Sequence, residues 1–430
     1  MDDDQKVMNR NLVVLGAVLI QLCLGAIYAW SVFTPALKDP EGPFAFSAVQ
    51  TQAIFSVGLA TFAVVMVLAG KLQAKIGPRR VSVMGGVLLG VGYILAGLFG
   101  KTFVPQLVFI GLVGGAGIGL AYVCPIKVGM AWFPDKKGLI TGLAVAGFGF
   151  GALIWVKLAG SWGGLIASVG VLKVFALYGL LFAIAVLVGS VWMVNPPDGW
   201  KPEGWEPPSG SDGKPAEGRQ MMPREMLRTP QFYGLWGMFI FSAMAGLITI
   251  GIIKLFGIDA LQQSGYDAAT ASAVAGTAMA VFYSIANGLG RIAWGSLSDK
   301  LGRKACLFLM CLLQGIMMLL FYSLGGSRWG LYCGSAIIGF NFGGNFSLFP
   351  TATADFFGPK NVGLNYGWVF TAYGVGGIIG PIMAGYIRDV WKNFQAAFII
   401  CGIACLVAAV IGLMLKAPSE AEPEGVAEAA

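Results

Sequence analysis

Arg291 lies eight residues ahead of Asp299 in a stretch that is otherwise apolar or small, and Asn287 stands four residues before it. A guanidinium stays charged at every relevant pH and offers two parallel N–H donors to a carboxylate. Residues four apart share one helix face, so Asn287 can orient the guanidinium or add a donor, but as an amide it carries no proton. Three more cations, Lys127, Lys157 and Lys254, sit in apolar surroundings. Tyr28 and Tyr122 each offer a ring and a hydroxyl, and Asn341 and Asn345 form a second i, i+4 amide pair. Each tyrosine reads equally well as a packed ring, and the asparagines as hydrogen bonds between helices. Against these donors stand 21 acidic residues, all at the ends of the chain, in polar loops or near the ends of apolar runs, and no histidine. Arg291 therefore has no internal counter-ion, and the chemistry on offer is the grip of a small carboxylate. The lack of histidine removes a Ser-His-Asp triad, a His-ligated metal and a histidine proton relay.

The elements that must position these residues are membrane helices. The chain is 57% hydrophobic and 11% charged, with a mean hydropathy of +0.76, where a soluble domain carries roughly 25% charged residues. About 20 apolar residues cross ~30 Å of hydrocarbon. Twelve such runs begin near Leu12, Ser47, Val81, Val104, Leu139, Lys173, Phe232, Ala268, Cys306, Trp329, Gly363 and Ala396. The first is longer than a signal-peptide core and lacks a small-residue cleavage site, so we read it as a retained span. Eighteen of the 28 basic residues, Lys6, Lys214 and Arg219 among them, fall on the side of the termini; six, including Lys392, fall on the other. The positive-inside rule then puts both termini in the cytoplasm of a multi-pass inner-membrane protein.

Charges inside spans are costly, and depth separates them. Lys127 lies five residues before Trp132, about 7 Å from the inner face, within reach of the headgroups. Lys157 and Lys254 fall near the outer headgroups, where the readings are simple snorkelling or an outer vestibule that attracts anions. Arg291 is ~12 Å deep against a midplane of ~15 Å. Residues 195–230, rich in Pro, Gly and Glu, cannot bury a core and read as a flexible cytoplasmic linker with a surface helix near Arg224 to Arg228. The expected divisions are a six-helix bundle at 1–194, the linker, a second bundle at 231–416 and a tail at 417–430. The seven cysteines lie in apolar runs and read as small buried hydrophobes.

The halves repeat at an offset of 225 residues, which carries Gly70, Leu72, Lys75 and Gly77 onto Gly295, Leu297, Lys300 and Gly302, and Gly114, Gly119 and Pro125 onto Gly339, Gly344 and Pro350. Two six-span repeats with a site between them describe an alternating-access carrier. The glycine clusters at 114–119, 147–151 and 374–377 lie inside apolar helices with no preceding strand, so they serve close helix packing and not a nucleotide phosphate.

The run Gly295-x-Leu297-x-Asp299-Lys300-x-Gly302-Arg303-Lys304 resembles the loop signature of the major facilitator superfamily, with a weaker first copy around Gly70 and Arg79 that has Ala74 in the acidic place. Gly295, Asp299, Arg303, Gly70 and Arg79 are thereby expected at a gating loop. Gly25-Ala26-Ile27-Tyr28-Ala29-Trp30, Trp132-Phe133-Pro134-Asp135-Lys136-Lys137-Gly138 and Met226-Leu227-Arg228-Thr229-Pro230-Gln231-Phe232 resemble the oxalate/formate antiporter family and the monocarboxylate transporters. The resemblance implies an all-α fold of twelve transmembrane helices and carriage of small carboxylates. Related carriers have an arginine at the place of Arg291, and many have an acid where this chain has Asn287. The oxalate-exchanging members add a lysine where this chain has Tyr373, so one cation faces one carboxylate. The resulting expectation is a lactate- or pyruvate-like monocarboxylate carrier coupled to H+, with an oxalate/formate-type exchanger as the alternative. Its substrate site draws on Arg291, Asn287, Tyr28, Tyr122, Tyr373, Lys254, Lys157, Asn341 and Asn345. It is not an enzyme, uses no cofactor, metal or nucleic acid, and works as a monomer in the lipid bilayer.

Overall fold

The computed structural model describes residues 8–160, 162–206, 220–391 and 393–416. Lys6, Lys214, Arg219 and Lys392 of the charge tally, and the tail at 417–430, lie outside them. Among the described residues there is no strand and there are twelve long helices: α1 (Arg10–Ala29), α2 (Ala48–Ile76), α3 (Pro78–Phe99), α4 (Phe103–Trp132), α5 (Lys137–Ala159), α6 (Val171–Ser190), α7 (Pro230–Gln263), α8 (Ala268–Leu301), α9 (Arg303–Leu324), α10 (Arg328–Phe357), α11 (Val362–Trp391) and α12 (Gln395–Met414). Each begins within three residues of an expected span.

Eleven of these helices are long and apolar enough to cross a membrane. The exception, α10, is 30 residues long but carries Asn341, Asn345, Ser347, Thr351 and Thr353, all buried. Its polar groups are hidden between helices, which is why hydropathy underrates it. The apolar side chains that remain exposed, such as Leu180, Ile184 and Leu187 on α6, Leu313, Ile316 and Leu320 on α9, and Ile403, Val407 and Val410 on α12, mark the faces turned to lipid. Helices satisfy their own backbone groups, so this is a viable way to cross a bilayer. The molecule is a multi-pass membrane protein.

The repeat is visible in the backbone. Gly77 and Gly302 each end one helix and start the next at φ +85° and +86°, a conformation that a side chain would strain. Pro125 and Pro350 sit inside α4 and α10. The halves touch along two related seams. A Cβ on Gly70 of α2 would collide with the carbonyl of Gly363 on α11, and one on Gly295 of α8 with the carbonyl of Gly138 on α5. The same 225-residue offset relates Gly138 to Gly363 and Gly70 to Gly295, so one contact maps onto the other by a pseudo-two-fold.

Two readings are corrected here. The described ends of the linker are docked, not free: the Trp200 ring packs at 4.8 Å on Trp132 of α4, while the Met221 amide donates to Phe357 O at 2.9 Å and its carbonyl accepts from Asn361 and Asn365. The short helix there spans Pro223–Met226, and both Met221 and Met226 are buried. Apolar side chains spaced through a polar segment give it something to anchor. Cys333, unlike the other six cysteines, is exposed, because it lies on the outward face of α10.

Candidate functional site

Arg291 is wholly buried on α8. Its Nε donates to Asn287 Oδ1 at 3.0 Å, one helical turn earlier, and its Nη1 crosses between the halves to donate to the carbonyl of Val145 on α5 at 2.9 Å. The guanidinium lies over the Phe346 ring of α10 at 4.1 Å and the Phe148 ring of α5 at 5.3 Å. No carboxylate pairs with it among the described residues. Desolvated cation–π contacts contribute about 2 kcal/mol, and a planar guanidinium suits two stacked faces.

Glycines make this approach possible. Gly142 and Gly149 of α5 bracket Val145 on one face. A Cβ on Gly142 would strike the Arg291 carbonyl, and one on Gly149 would lie 2.8 Å from Asn287 Oδ1. The cluster at 147–151 is thus a packing seam: Gly147 and Gly151 press on Val18 and Leu22 of α1 in the same way.

Three tyrosines gather around the same rings. Tyr28, in a short 3-10 segment, Gly25–Ala29, within α1, shares a hydrogen bond between hydroxyls with Tyr373 of α11 at 2.6 Å, another link across the halves. The Tyr28 ring meets Phe148 edge-on at 5.0 Å, the Tyr122 ring meets it at 5.6 Å, and Tyr373 stands 5.5 Å from Phe346. Phe62 and Phe370 close the cluster.

Its polar inventory is one-sided. Arg291 Nη2, Asn287 Nδ2 and the Tyr122 hydroxyl are buried without a well-aligned hydrogen-bond partner, although the Tyr28 and Tyr122 hydroxyls both approach the guanidinium. Buried polar groups are normally satisfied, and orphans need an explanation. Two of these can only donate and the third has a proton to give, so an acceptor placed among them would find donors ready, beyond what the tyrosine oxygens and the unpartnered Gln21 Oε1 supply.

The structure brings together Arg291, Asn287, Tyr28, Tyr122 and Tyr373. Asn341 and Asn345 are both buried on α10; Asn345 Oδ1 accepts from Ser242 of α7, and both Nδ2 atoms lack partners. Lys157 and Lys254 are not brought in. Lys157 is in the last turn of α5 near the Trp162 ring, 6.0 Å away, and Lys254 is exposed on α7. Twelve residues separate Lys157 from Val145, about 18 Å along the helix. Missed from sequence are Ser242, the Val145 carbonyl, the sandwiching Phe148 and Phe346, and Tyr366. Tyr366 lies seven residues before Tyr373 on the same face, buried, with its hydroxyl unpartnered; the i, i+7 spacing was the available signal.

At the Asp299 end, the Asp299 carboxylate accepts from the Gly138 and Leu139 amides of α5 at 3.0 and 2.9 Å. Arg303 bridges Asp299 at 2.7 Å and Asp355 at 2.8 Å, and Lys137 reaches Asp355 at 3.2 Å. Gly295, Asp299 and Gly70 lie on the contact between the halves, and Arg303 braces Asp299 there. Arg79 does not: it donates to Val191 O within its own half, and at the 225-residue offset it is the counterpart of Lys304, the place of Arg303 being taken by Pro78.

The sequence profile described as Major Facilitator Superfamily matches residues 22–282 and 260–430. The chain is 31% identical over 376 residues to an uncharacterized MFS-type transporter, YhjX, of Escherichia coli K12, covering 86% of each chain. It is 27% identical to the oxalate:formate antiporter of Oxalobacter formigenes, covering 92% of this chain and 88% of that one. It is 26% identical to apicoplast pyruvate carrier 1 of Toxoplasma gondii, with 84% and 80% covered. Among solved structures the proton:xylose symporter XylE superposes with a TM-score of 0.69 over 93% of this chain and 94% of that one, at 15% identity, a likeness of fold.

Proposed function

We propose that this chain, which belongs to the Major Facilitator Superfamily and so is a membrane transporter and not an enzyme, carries small monocarboxylates of the lactate or pyruvate kind. The observation that carries the reading is a buried guanidinium, with unsatisfied donors beside it, that no carboxylate of the described residues pairs with. A carboxylate is acceptor-only, matches the guanidinium fork and would satisfy Nη2, Asn287 Nδ2 and the Tyr122 hydroxyl. The apolar walls from Phe148, Phe346 and Phe370 suit a short aliphatic remainder. Relatives named for pyruvate and for oxalate and formate support the substrate class.

The site touches both halves, through Val145 and Phe148 on one side and Arg291 and Phe346 on the other. A ligand bound there is felt by both halves, which is what alternating access requires. We take the two six-helix units as 1–194 and 231–416, acting as a monomer in the cytoplasmic membrane with both termini inside. Moving a lone anion differs by about 2.3 kcal/mol per charge per 100 mV from moving a neutral species. The site offers no acid or histidine of its own, so the proton travels with the substrate as the Arg291 contact breaks, giving electroneutral symport.

Proteoliposomes test this. An inward proton gradient should drive lactate or pyruvate uptake with no internal anion. Uptake that needs internal carboxylate, ignores the pH gradient and prefers oxalate would replace symport with exchange.

A further inference from the structure

The pseudo-two-fold exposes a gap. At the α5–α8 seam the first amides of α5, Gly138 and Leu139, donate to a carboxylate, that of Asp299, an anion held by a helix N-terminus. Advancing α5 by 225 residues gives Gly363 and Leu364 at the start of α11, and stepping back 225 from Asp299 gives Ala74, which is exposed. The Leu364 amide is taken by Asn361 O at 3.0 Å, while the Gly363 amide has no partner among the described residues. Facing it is Gln73, 1% exposed, whose side-chain nitrogen and oxygen are both unpartnered. A Cβ added to Gly363 would collide with Gln73 Nε2 and would lie 3.3 Å from Cδ of Lys127. The lysine read as reaching the headgroups thus runs its stem into the α4–α11 junction, and it makes no ion pair among the described residues.

We propose that this slot binds a small carboxylate from solution, held by the Gly363 amide, Gln73 Nε2 and the Lys127 ammonium, where the other repeat uses its own Asp299. The chemistry follows from the related seam: the same helix start, one tethered carboxylate there, none here. Ala74, in the place of that acid, is exposed. The neutral Gln73 amide stands where the acid's carboxylate would, both of its polar atoms unpartnered, and a bound carboxylate would turn it aside to accept from its nitrogen, the Gly363 amide and the lysine. One seam is closed by a built-in acid and the other by an acid taken from the surrounding solution, so contact between the halves depends on carboxylate concentration. This does not rest on the role given to Arg291.

The test uses purified full-length protein and formate at constant ionic strength, with Arg291→Gln to silence the central cluster. Formate should raise the Tm of Arg291→Gln saturably. Ala74→Asp added to it should abolish that rise, because a tethered carboxylate fills the slot, and Lys127→Gln should shift the midpoint to at least about tenfold higher formate. Chloride should not reproduce the effect. If Arg291→Gln fails to fold, equilibrium dialysis of labelled formate on the otherwise unchanged protein serves: Ala74→Asp should lower bound formate by one per chain. A formate response that survives Ala74→Asp, or that is absent from Arg291→Gln while present in the parent, overturns the slot. So does full replacement by chloride, or equal binding with and without Ala74→Asp.

Discussion

Asp299→Asn isolates the electrostatic part of the contact between the halves. The carboxylate receives two amide hydrogen bonds from α5 and one from Arg303. Its side chain is 22% exposed, so screening reduces the ion-pair share, which for exposed pairs is about 0–1 kcal/mol. The amide hydrogen bonds are charge-assisted, about 1.5–3 kcal/mol each to a charged group. Asparagine keeps one acceptor and turns an NH2 toward the second amide. The net loss is therefore about one such bond, ~2 kcal/mol, or about 30-fold in the equilibrium between closed and parted halves at this end. Ser347 reports it, since this side chain is fully buried and its Cβ lies 3.3 Å from the place of a Cβ on Gly295. With Cys333 replaced by Ser, maleimide should modify an introduced cysteine at Ser347 about 30-fold faster in Asp299→Asn than in the parent. A rate within about threefold of the parent would refute the assignment of closure to this carboxylate.

Gly142→Val forces a side chain onto the backbone of α8, where the Arg291 carbonyl carbon already lies 2.9 Å from an ideal Cβ; overpacking of this kind costs about 1–3 kcal/mol. The Tm should fall and uptake should be lost, while Gly237→Val on α7, with nothing within 4 Å, should leave both near parent values. Tyr28→Phe leaves the buried Tyr373 hydroxyl unpaired at a cost of about 1–3 kcal/mol. Adding Tyr373→Phe should recover part of the lost Tm, and strict additivity in that cycle would deny the hydrogen bond.

Much of the fold was legible because apolar length and charge bias are properties of the sequence itself. The start of every helix fell within three residues of its run, and α10 was found despite Asn341 and Asn345. Arg291 stood out as a cation too deep to reach water, and the i, i+4 spacing paired it with Asn287. The Val145 carbonyl was invisible, since every residue has one and only the crossing of α5 over α8 selects it. Phe148 and Phe346 were lost among 29 phenylalanines, as aromatic identity says nothing of which ring meets a guanidinium. Lys157 and Lys254 share a positive charge with Arg291 but not its depth. Arg79 and Gly70 came from one motif copy, yet only Gly70 lies between the halves; Arg79 holds the Val191 carbonyl at the end of α6, and Pro78 stands where the second copy has Arg303. The docking of Met221 depends on where the ends of α10 and α11 meet, which composition does not encode.

The central claim is that Arg291 holds the substrate carboxylate. Binding of labelled lactate and pyruvate to purified protein measures this without the transport cycle. Losing a buried, hydrogen-bonded charge contact costs about 2–5 kcal/mol, so Arg291→Gln should weaken binding at least about 30-fold. Arg291→Lys, which keeps the charge without the fork, should fall between it and the parent. Parent-like affinity in well-folded Arg291→Gln, for both acids, would contradict the account.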